Sequence, residues 1–451
     1  MREEMIQVTP FKFIDYLEIE GHQCVGMHST LKIVGHISLD DEQEYIRLMT
    51  EETWVSVNAA TYDGTMRHVF EGIILDADIE KINGTCKLTL QLVTESYLMD
   101  QRKHTRSFQR EGTSYALVLD VITEKYHDSR CIMTAGEGSL IPGFLLQYHE
   151  TDWEFARRLA SHFGTDIFAD CYYQGINLHF GEPKAGFTPK ITANEYSVVK
   201  DSKGVCGYLV KLREIYNIGD WVNFNGMDLW IAEVCTKLEG SELYHTYRLI
   251  NRSGMVIDKK YNEKCTGVSL IGTVMAVEKD KVQIEIEKDE NKGKAGRRWF
   301  SYATPYSTPD GTGWYCMPEI GDKIRLRIPT DDESGAYVVS SVHMESSNGS
   351  ERKNPDYKSI MNKQGKEILL TPNSLIMTNN AGMSIEIHDE EGIRIISNKN
   401  IAIEAADSVE ITSANSKLEL YAKDNILLKQ GNIQMNMDGE MHFYGARLNL
   451  N

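Results

Sequence analysis

The stretch that decides the fold, residues 393–428, reads IRIISNKNIAIEAADSVEITSANSKLELYAKDNILL and contains a short repeat. Apolar residues recur as pairs separated by one residue, and the pairs begin 8, 8, 9 and 8 positions apart: Ile393/Ile395, Ile401/Ile403, Val409/Ile411, Leu418/Leu420 and Ile426/Leu428. Apolar residues two apart indicate a strand with one buried face. A fixed spacing between such strands predicts a solenoid, in which units that cannot bury an apolar face alone stack on one another.

The repeat extends in both directions to about eleven short strands. Backward steps of eight reach Ile385, Met377 and Leu369, and forward steps reach Ile433/Met435, Met441/Phe443 and Leu448/Leu450. One chain could coil alone with about 24 residues per turn, three chains could intertwine, or the strands could form a plain meander. The aliphatic interior and the scarcity of Gly and Pro favour the intertwined form, a rod on the order of 50 Å long. Its predicted core contains Ile385, Ile393, Ile401, Val409, Leu418 and Ile426.

The preceding chain is predicted to be mainly β with inserted helices, and 451 residues suggest about three domains. Helices are predicted at 38–54, 113–126 and 151–164. In the last one, Thr151 and Glu154 form a capping box and Gly164 ends the helix. Residues 268–343 are predicted to form a compact all-β unit, followed by a segment of linker composition at 344–359.

Charge and composition exclude several function classes. The net charge is −18 and acidic residues are spread along the chain, which argues against a nucleic-acid partner, because neutralising phosphates requires clustered Lys and Arg. The one basic group, Lys292, Lys294, Arg297 and Arg298, is predicted to be a solvated hairpin loop. The first residues lack the apolar segment of a signal peptide, so synthesis in the cytosol is expected. The eight scattered cysteines are expected to be reduced, buried thiols.

Three segments in this order resemble the hub-spike proteins of contractile injection machines: phage baseplate hubs and spikes, late-control proteins, R-type bacteriocin hubs and VgrG proteins. The first segment is QYHETDWEFARRLASHFG, with family positions at Gln147, Tyr148, Glu150, Asp152, Phe155, Arg158, Leu159 and Gly164. The second resembles the family's oligonucleotide-binding-type (OB) barrel, with Trp299, Pro305, Gly311, Gly313, Pro318, Gly321 and Asp322. The third is the octad repeat, which is similar to the family's trimeric β-helix.

The resemblance implies a hub at 1–255 built of two barrel-like units with an α+β part around 105–190. An OB-fold collar at 266–343, a linker at 344–361 and a triple-stranded β-helical needle at 362–451 would follow. The implied function is that of a homotrimeric hub and envelope-piercing spike that joins a tail tube to the tip and transmits the force of contraction. Implied partners are the tail tube ring, baseplate and adaptor proteins, a separate PAAR-like tip protein and the target cell envelope. Trp153 and Phe155 are expected in the core, and the collar is not expected to bind nucleic acid.

No catalytic residues are predicted, because the sequence lacks the motifs of hydrolases, zinc proteases and nucleotide-binding enzymes. His388 beside Asp389 is a weak dyad. Family needles often end in a His-x-His iron site, whereas GEMHFYG (439–445) offers only His442, whose three copies could hold a metal ion at a threefold axis near the tip. No other cofactor is expected. The alternatives are a cell-wall-degrading enzyme on a hub scaffold and a monomeric β-solenoid adhesin.

Overall fold

The structure is a computed structural model that describes residues 5–61, 64–184, 188–193, 195–202, 204–342 and 354–447. The chain forms two compact units, residues 1–344 and 345–451. Within the described ranges, no helix combines the length and the apolar character needed to cross a lipid bilayer. Short 3-10 helices occur at Leu39–Asp41, Glu95–Asp100, Glu263–Cys265 and Glu333–Gly335.

The first part of the large unit is a set of antiparallel strands that curl around one core. Its elements are β1 (Ile6–Thr9), β2 (Asp15–Cys24), β3 (Thr30–Ile37), α1 (Glu42–Thr50), β4 (Trp54–Ala60), β5 (Met66–Ile82) and β6 (Thr85–Val93). Alternate residues of β6 (Cys86, Leu88, Leu90 and Leu92) are buried, as period two requires. The helix predicted at 38–54 is shorter than expected, because Ser38 caps a 3-10 turn and Trp54 already belongs to β4.

An α+β segment follows. It consists of β7 (Lys103–Phe108), α2 (Tyr115–Thr123), β8 (Arg130–Met133), β9 (Leu145–Thr151), α3 (Asp152–Ser161), β10 (Ile167–Ala169) and β11 (Asn177–Phe180). The predicted capping box of α3 is confirmed: the Glu154 amide donates to Thr151 Oγ1 and the Thr151 amide donates to the Glu154 carboxylate, both at 3.0 Å. Gly164 has φ +72°, the left-handed conformation that ends a helix.

The next strands complete a twelve-stranded sheet. They are β12 (Lys190–Ile191), β13 (Tyr196–Lys200), β14 (Cys206–Leu212), β15 (Trp221–Phe224), β16 (Met227–Glu239) and β17 (Glu242–Ile250), followed by α4 (Arg252–Met255). The main path of the sheet is β1-β4-β5-β6-β3-β2-β16-β17-β14-β13. The antiparallel pairing of β2 with β16 therefore joins the two halves, and His22 lies opposite Cys235 at that seam.

Residues 269–341 form the compact all-β unit that the sequence predicts, and the structure gives it five strands. Its strands are β18 (Ser269–Glu278), β19 (Lys281–Ile286), β20 (Trp299–Ser301), β21 (Lys323–Arg327) and β22 (Tyr337–Ser341), in the order β20-β19-β18-β21-β22. A parallel bridge between Tyr302 and Val338 connects the third strand to the fifth. Closure of the third strand on the fifth gives a small Greek-key barrel, so the predicted OB fold is confirmed.

The small unit contains two antiparallel meanders. The first comprises β23 (Lys358–Met361), β24 (Glu367–Leu370), β25 (Ser374–Thr378), β26 (Met383–His388) and β27 (Gly392–Ser397); the second comprises β28 (Ile426–Gln430), β29 (Ile433–Met437) and β30 (Met441–Tyr444). Strands were also expected at the Ile401, Val409 and Leu418 pairs, but residues 398–425 form none in the single chain. Their side chains are exposed there, because a strand forms only beside a strand that accepts its hydrogen bonds. Leu448 and Leu450 lie outside the described residues.

The cysteines differ in part from the expectation. Each of the eight carries a free thiol, and Cys86, Cys171 and Cys265 are buried as predicted. Cys206, at the start of β14, and Cys316, in the loop after β20, are exposed, so the prediction of burial is wrong for these two.

Candidate functional site: the hub–collar junction

The predicted motif at 147–164 lies where the α+β segment meets the five-stranded barrel. We keep the names that the resemblance implies, hub for 1–255 and collar for 266–343, as labels for these parts of the chain. The contact between residues 103–164 and residues 262–333 is called the hub–collar junction. Gln147, Asp152, Phe155, Arg158 and Leu159 are almost completely buried. Trp153 and Phe155 belong to the core of the α+β segment, as expected. The motif therefore occupies an internal contact surface and not a cleft.

The strand β9 and the residue before it supply side chains to two cores. Phe144 and Leu146 pack among the barrel residues, whereas Leu145 packs against the helices of the α+β segment. This division follows from the alternation of side chains along an extended chain. The ring of Phe144 meets that of Phe300 edge to face, with centroids 5.3 Å apart. The same short segment thus fastens the hub to the collar by apolar packing.

Arg158 forms the central ion pair of the junction. Its Nε and Nη2 donate to the two oxygens of Glu150 at 2.8 and 2.9 Å, and its Nη1 donates to Glu333 Oε1 at 2.9 Å. Nη2 also donates to the carbonyl of Leu146. Burial disfavours the guanidinium charge, but the charges of Glu333 and Glu150 outweigh it and raise the pKa of Arg158. Burial raises the pKa of Glu150 despite this cation.

A second polar cluster surrounds Asp152, the first residue of α3. Its carboxylate accepts hydrogen bonds from Arg106 Nη1 at 2.6 Å, Gln147 Nε2 at 2.9 Å and Tyr126 Oη at 2.9 Å, and lies 2.8 Å from Lys125 Nζ. Burial opposes ionisation, but the hydrogen bonds from Lys125 and Gln147 and the charge of Arg106 hold the pKa of Asp152 below its usual value. The carboxylate therefore stays ionised inside the protein and orders four neighbours around it.

His104 connects this cluster to the collar. Lys125 Nζ lies 2.7 Å from His104 Nε2, and Glu290 Oε2 lies 2.6 Å from His104 Nδ1. Arg106 Nη2 lies 3.0 Å from the same Nδ1. Burial lowers the pKa of His104, although the hydrogen bond to Glu290 acts in the opposite direction. The imidazole is thus neutral near pH 7 and bridges a hub cation and a collar carboxylate.

The collar loop 287–298 lies along β7 of the hub. The Ser107 amide donates to Asp289 Oδ1 at 2.9 Å, and Asn291 Nδ2 donates to the Ser107 carbonyl at 3.1 Å. The Gln109 amide donates to the carbonyl of Ala295 at 2.8 Å. The predicted exposure is confirmed for Lys292, Lys294 and Arg297 in this loop, but Arg298 is half-buried. The loop is accordingly a docking element and not only a solvated hairpin.

Apart from Trp299, which lies on β20, the collar motif residues are in the loop between β20 and β21. Gly313 has φ +155° and pairs with Ser307, and an added Cβ would lie 2.4 Å from the Tyr306 carbonyl oxygen. Asp322 Oδ2 accepts a hydrogen bond from the Glu319 amide in the turn that contains Gly321. Trp299 is half-buried, Pro318 is buried, and Pro305 and Gly311 are exposed.

The sequence did not single out several residues that build the junction. His104, Arg106, Lys125 and Glu333 are distant in sequence from the motif, and none lies in a recognisable pattern. Asp289 and Glu290 were noticed only as acidic neighbours of the basic group. Most charged groups of the junction are buried and paired with one another, an arrangement that suits a rigid connection.

The second candidate site is an exposed apolar face on the first meander of the small unit. Five apolar side chains, one from each of five neighbouring strands, are directly paired and form a row across the sheet: Ile360, Ile368, Met377, Ile385 and Ile395. A parallel row contains Leu370, Leu375, Ile387 and Ile393. Exposure in the first row ranges from 39% to 58%. Two of the predicted needle-core residues, Ile385 and Ile393, lie on this face.

The other predicted needle-core residues and His442 are placed differently. Ile401, Val409 and Leu418 are exposed in the strand-free segment, and Ile426 lies on β28 opposite Met437. On β30, His442 faces the side opposite to Met441 and Phe443, since neighbouring side chains alternate. His442 Nε2 lies 3.7 Å from Asp438 Oδ1 and 3.8 Å from Glu440 Oε2. His388 Nδ1 accepts hydrogen bonds from the backbone amides of Glu390 and Glu391 and so caps a turn.

The fold defines a class of protein: a mainly β hub, an OB barrel docked to it and a repeat-based C-terminal β region. Residues 30–204 match the model of the family described as phage tail baseplate hub (GPD). The sequence has no match among curated proteins.

Solved structures share this fold. The E. coli c3393 protein, described as a type VI secretion component similar to the T4 bacteriophage tail proteins gp27 and gp5, superposes with a TM-score of 0.53 at 10% identity, over 75% of this chain and 99% of that one. A chain of the half-lidded Francisella PdpA–VgrG complex superposes with a TM-score of 0.58 at 10% identity, over 86% of this chain and 87% of that one. The resemblance to hub-spike proteins is confirmed, and the fold is theirs.

Proposed function

We propose that this chain is the homotrimeric central hub and envelope-piercing spike of a contractile, tail-like injection machine. In this proposal the chain is made in the bacterial cytoplasm and assembled at the baseplate or tip, and it acts mechanically and not as an enzyme. Residues 1–255 would form the hub, 266–343 the collar and 362–451 the needle. The match to baseplate hub proteins and the VgrG-like fold support a structural role.

The single observation that carries the trimer is the apolar face of the first meander. Its two rows contain only Ile, Leu and Met, and all of these side chains except the half-buried Leu375 are exposed to solvent. A contiguous exposed apolar surface of this kind marks an interaction site. Burying each of these side chains is worth roughly 1.5–3 kcal/mol when it is complete.

Copies of the same chain are the partners that best fit this face. A row of five aligned aliphatic side chains matches another such row by interdigitation, and it offers no charge that a different partner would recognise. Three copies would also give residues 398–425 the strand neighbours that the single chain lacks. The expected strands at Ile401, Val409 and Leu418 would then form on assembly, and no lateral sheet edge would remain.

The hub–collar junction supports the role in force transmission. Apolar packing through Phe144 and Leu146 and the buried pairs of Arg158 and Asp152 fix the collar on the hub. Buried, fully hydrogen-bonded networks rigidify the parts that they connect. The proposed partners are the tail tube ring, the baseplate and adaptor proteins, a separate PAAR-like tip protein and the target envelope. A metal ion held by three copies of His442 remains a prediction for metal analysis of the trimer.

The test is the native mass of the full chain by light scattering. The expected mass is three times 51.2 kDa, and the assembly should resist SDS without heating. Replacing Ile385 and Ile395 with Asp should yield a single-chain mass, because charge in the row prevents apolar packing. Replacing Glu386 and Arg394, which pair with each other on the opposite face, with Ser is the matched control and should leave the trimer intact. A monomeric full-length chain would overturn the proposal and reopen the adhesin alternative.

A further inference from the structure

The seam between the two halves of the large sheet carries a cluster of metal-ligating side chains. His22 on β2 and Glu233 and Cys235 on β16 each present one ligand atom, and these atoms lie within 4.8 Å of one another. His22 Nε2 lies 2.9 Å from Glu233 Oε1, and Cys235 Sγ lies 4.0 Å from the same oxygen. These three groups thus converge although 211 positions separate His22 from Glu233.

The strand register adds a fourth group to the same face. Cys24 is paired directly with Glu233, and His22 is paired directly with Cys235. Directly paired residues, and residues two apart on one strand, project to the same side of a sheet. His22, Cys24, Glu233 and Cys235 therefore occupy the corners of one two-by-two patch.

A β-bulge places half of this patch. The pairing of β16 with β17 shifts between Ile231 and Glu233, so Ala232 is an extra residue. Leu229, Ile231 and Val234 lie in the same apolar core, which shows that the alternation changes at the bulge. Without the extra residue, Glu233 and Cys235 would face that core. Bulges of this kind re-aim side chains and are frequent beside functional sites.

The ligand types and spacing fit a zinc ion. Two thiolates, one imidazole and one carboxylate form a soft to borderline set that zinc binds with tetrahedral geometry. Bonds of about 2.0–2.3 Å to zinc place neighbouring ligand atoms roughly 3.3–3.8 Å apart. The observed separations of 2.9 and 4.0 Å bracket that range, so small side-chain rotations suffice for His22, Glu233 and Cys235. Cys24 Sγ lies outside this group of close ligand atoms and would have to turn towards it.

The surrounding charges also suit a bound cation with anionic ligands. Zinc with two thiolates and one carboxylate leaves one net negative charge, and Arg248 lies on the other side of Glu233, with Nη1 4.0 Å from Oε2. Arg248 Nη2 is held at 2.8 Å by Asp201, which keeps the guanidinium beside the patch and not within it. The geometry does not favour a disulfide between the two thiols. Cys24 and Cys235 are diagonal neighbours on the ladder, where Cα atoms are about 7–8 Å apart, which is longer than a disulfide usually spans.

We propose that His22, Cys24, Glu233 and Cys235 bind one zinc ion that clasps β2 to β16 and so holds the two halves of the hub sheet together. A metal that joins segments so distant in the chain restricts the unfolded state and binds only the folded ladder. The clasp is independent of the number of chains in the assembly and of the proposed piercing function.

The test uses the full chain, reduced and freed of metal with a chelator, and titrated with Co²⁺ alone. A tetrahedral thiolate site gives intense visible bands and a near-ultraviolet thiolate-to-cobalt band, which should saturate at one ion per chain and disappear when Zn²⁺ is added. Cys235→Ser and Cys24→Ser should each weaken binding at least about tenfold, since even residues that only support ligands contribute about 10- to 100-fold. Cys206→Ser removes an exposed thiol outside the patch and should leave the titration unchanged.

Thermal unfolding supplies a second readout. Zn²⁺ should raise the unfolding midpoint of the wild-type chain and of Cys206→Ser but not that of Cys235→Ser. Far-ultraviolet circular dichroism checks the fold; should Cys235→Ser fail it, His22→Gln replaces it, with the same expected loss. Absence of the thiolate-to-cobalt band in the wild type, or wild-type affinity in the folded patch variant, would overturn the proposal.

Discussion

Arg158, near the end of α3, donates to Glu333 of the collar at 2.9 Å, and both side chains are almost completely buried. The two residues are 175 positions apart, and the guanidinium is held on its other edge by Glu150. One side chain thereby couples the family motif, the strand that precedes it and the barrel. The motif residues of the hub are understood most simply as the hub half of a joint.

Replacing Arg158 with Ala should cost about 3–5 kcal/mol of unfolding free energy, because it leaves Glu150 and Glu333 buried without a cation. Urea unfolding followed by fluorescence measures the change. Arg47→Ala is the control: its pair with Glu51 is 4.0 Å long and exposed, and its loss should cost less than about 1 kcal/mol. Equal effects of the two variants would show that the junction pair does not stabilise the fold.

Gly296→Ala should loosen the docking of loop 287–298. Gly296 has φ +79°, and an added Cβ would lie 2.4 Å from Arg110 Cβ and 2.7 Å from Arg110 Cα, so the backbones must separate. Gly293→Ala is a matched control, because Gly293 has the same φ and nothing within 4 Å of the added atom. Limited proteolysis should cleave the loop faster in Gly296→Ala than in Gly293→Ala. Similar cleavage rates would indicate that strain alone, and not the contact with Arg110, governs the loop.

His245 should make the fold sensitive to mild acid. Burial lowers the pKa of His245 to about 4 from an ordinary value of 6.5. Between these two pKa values the unfolded chain binds a proton at His245 and the folded chain does not. The free energy of unfolding therefore falls as the pH is lowered from about 6.5 towards 4, by at most about 1.4 kcal/mol per pH unit.

His245→Asn isolates this contribution, since burial raises the pKa of carboxyls such as Asp170, which act in the opposite direction. Urea unfolding at pH 7, 6 and 5 should show the wild-type stability falling relative to the variant with each step. Parallel pH profiles for the two proteins would contradict the prediction.

Local patterns in the sequence predicted the elements that local physics controls. The capping box of Thr151 and Glu154, the stop at Gly164 and the burial of Trp153 and Phe155 were predictable from residue type and spacing. For residues 268–343 the residues predicted only an all-β unit, and the OB barrel was expected from the resemblance to the family. The strands predicted at Ile401, Val409 and Leu418 do not form in the single chain, because a strand needs a neighbouring strand to accept its hydrogen bonds. An octad repeat does not show whether that neighbouring strand belongs to the same chain or to another copy.

By itself, the sequence determined the class of fold, since alternation, caps and the octad repeat act over a few residues. Only the tertiary structure decided that Arg158 meets Glu333, that His104 bridges Lys125 and Glu290, and that a bulge turns Glu233 and Cys235 towards His22. These contacts join segments about 20 to 200 residues apart, and they depend on strand register and layer packing. For His22, Glu233 and Cys235 on β2 and β16, a one-residue shift in register would send each side chain to the opposite face, which is why spacing in the chain could not reveal their contact.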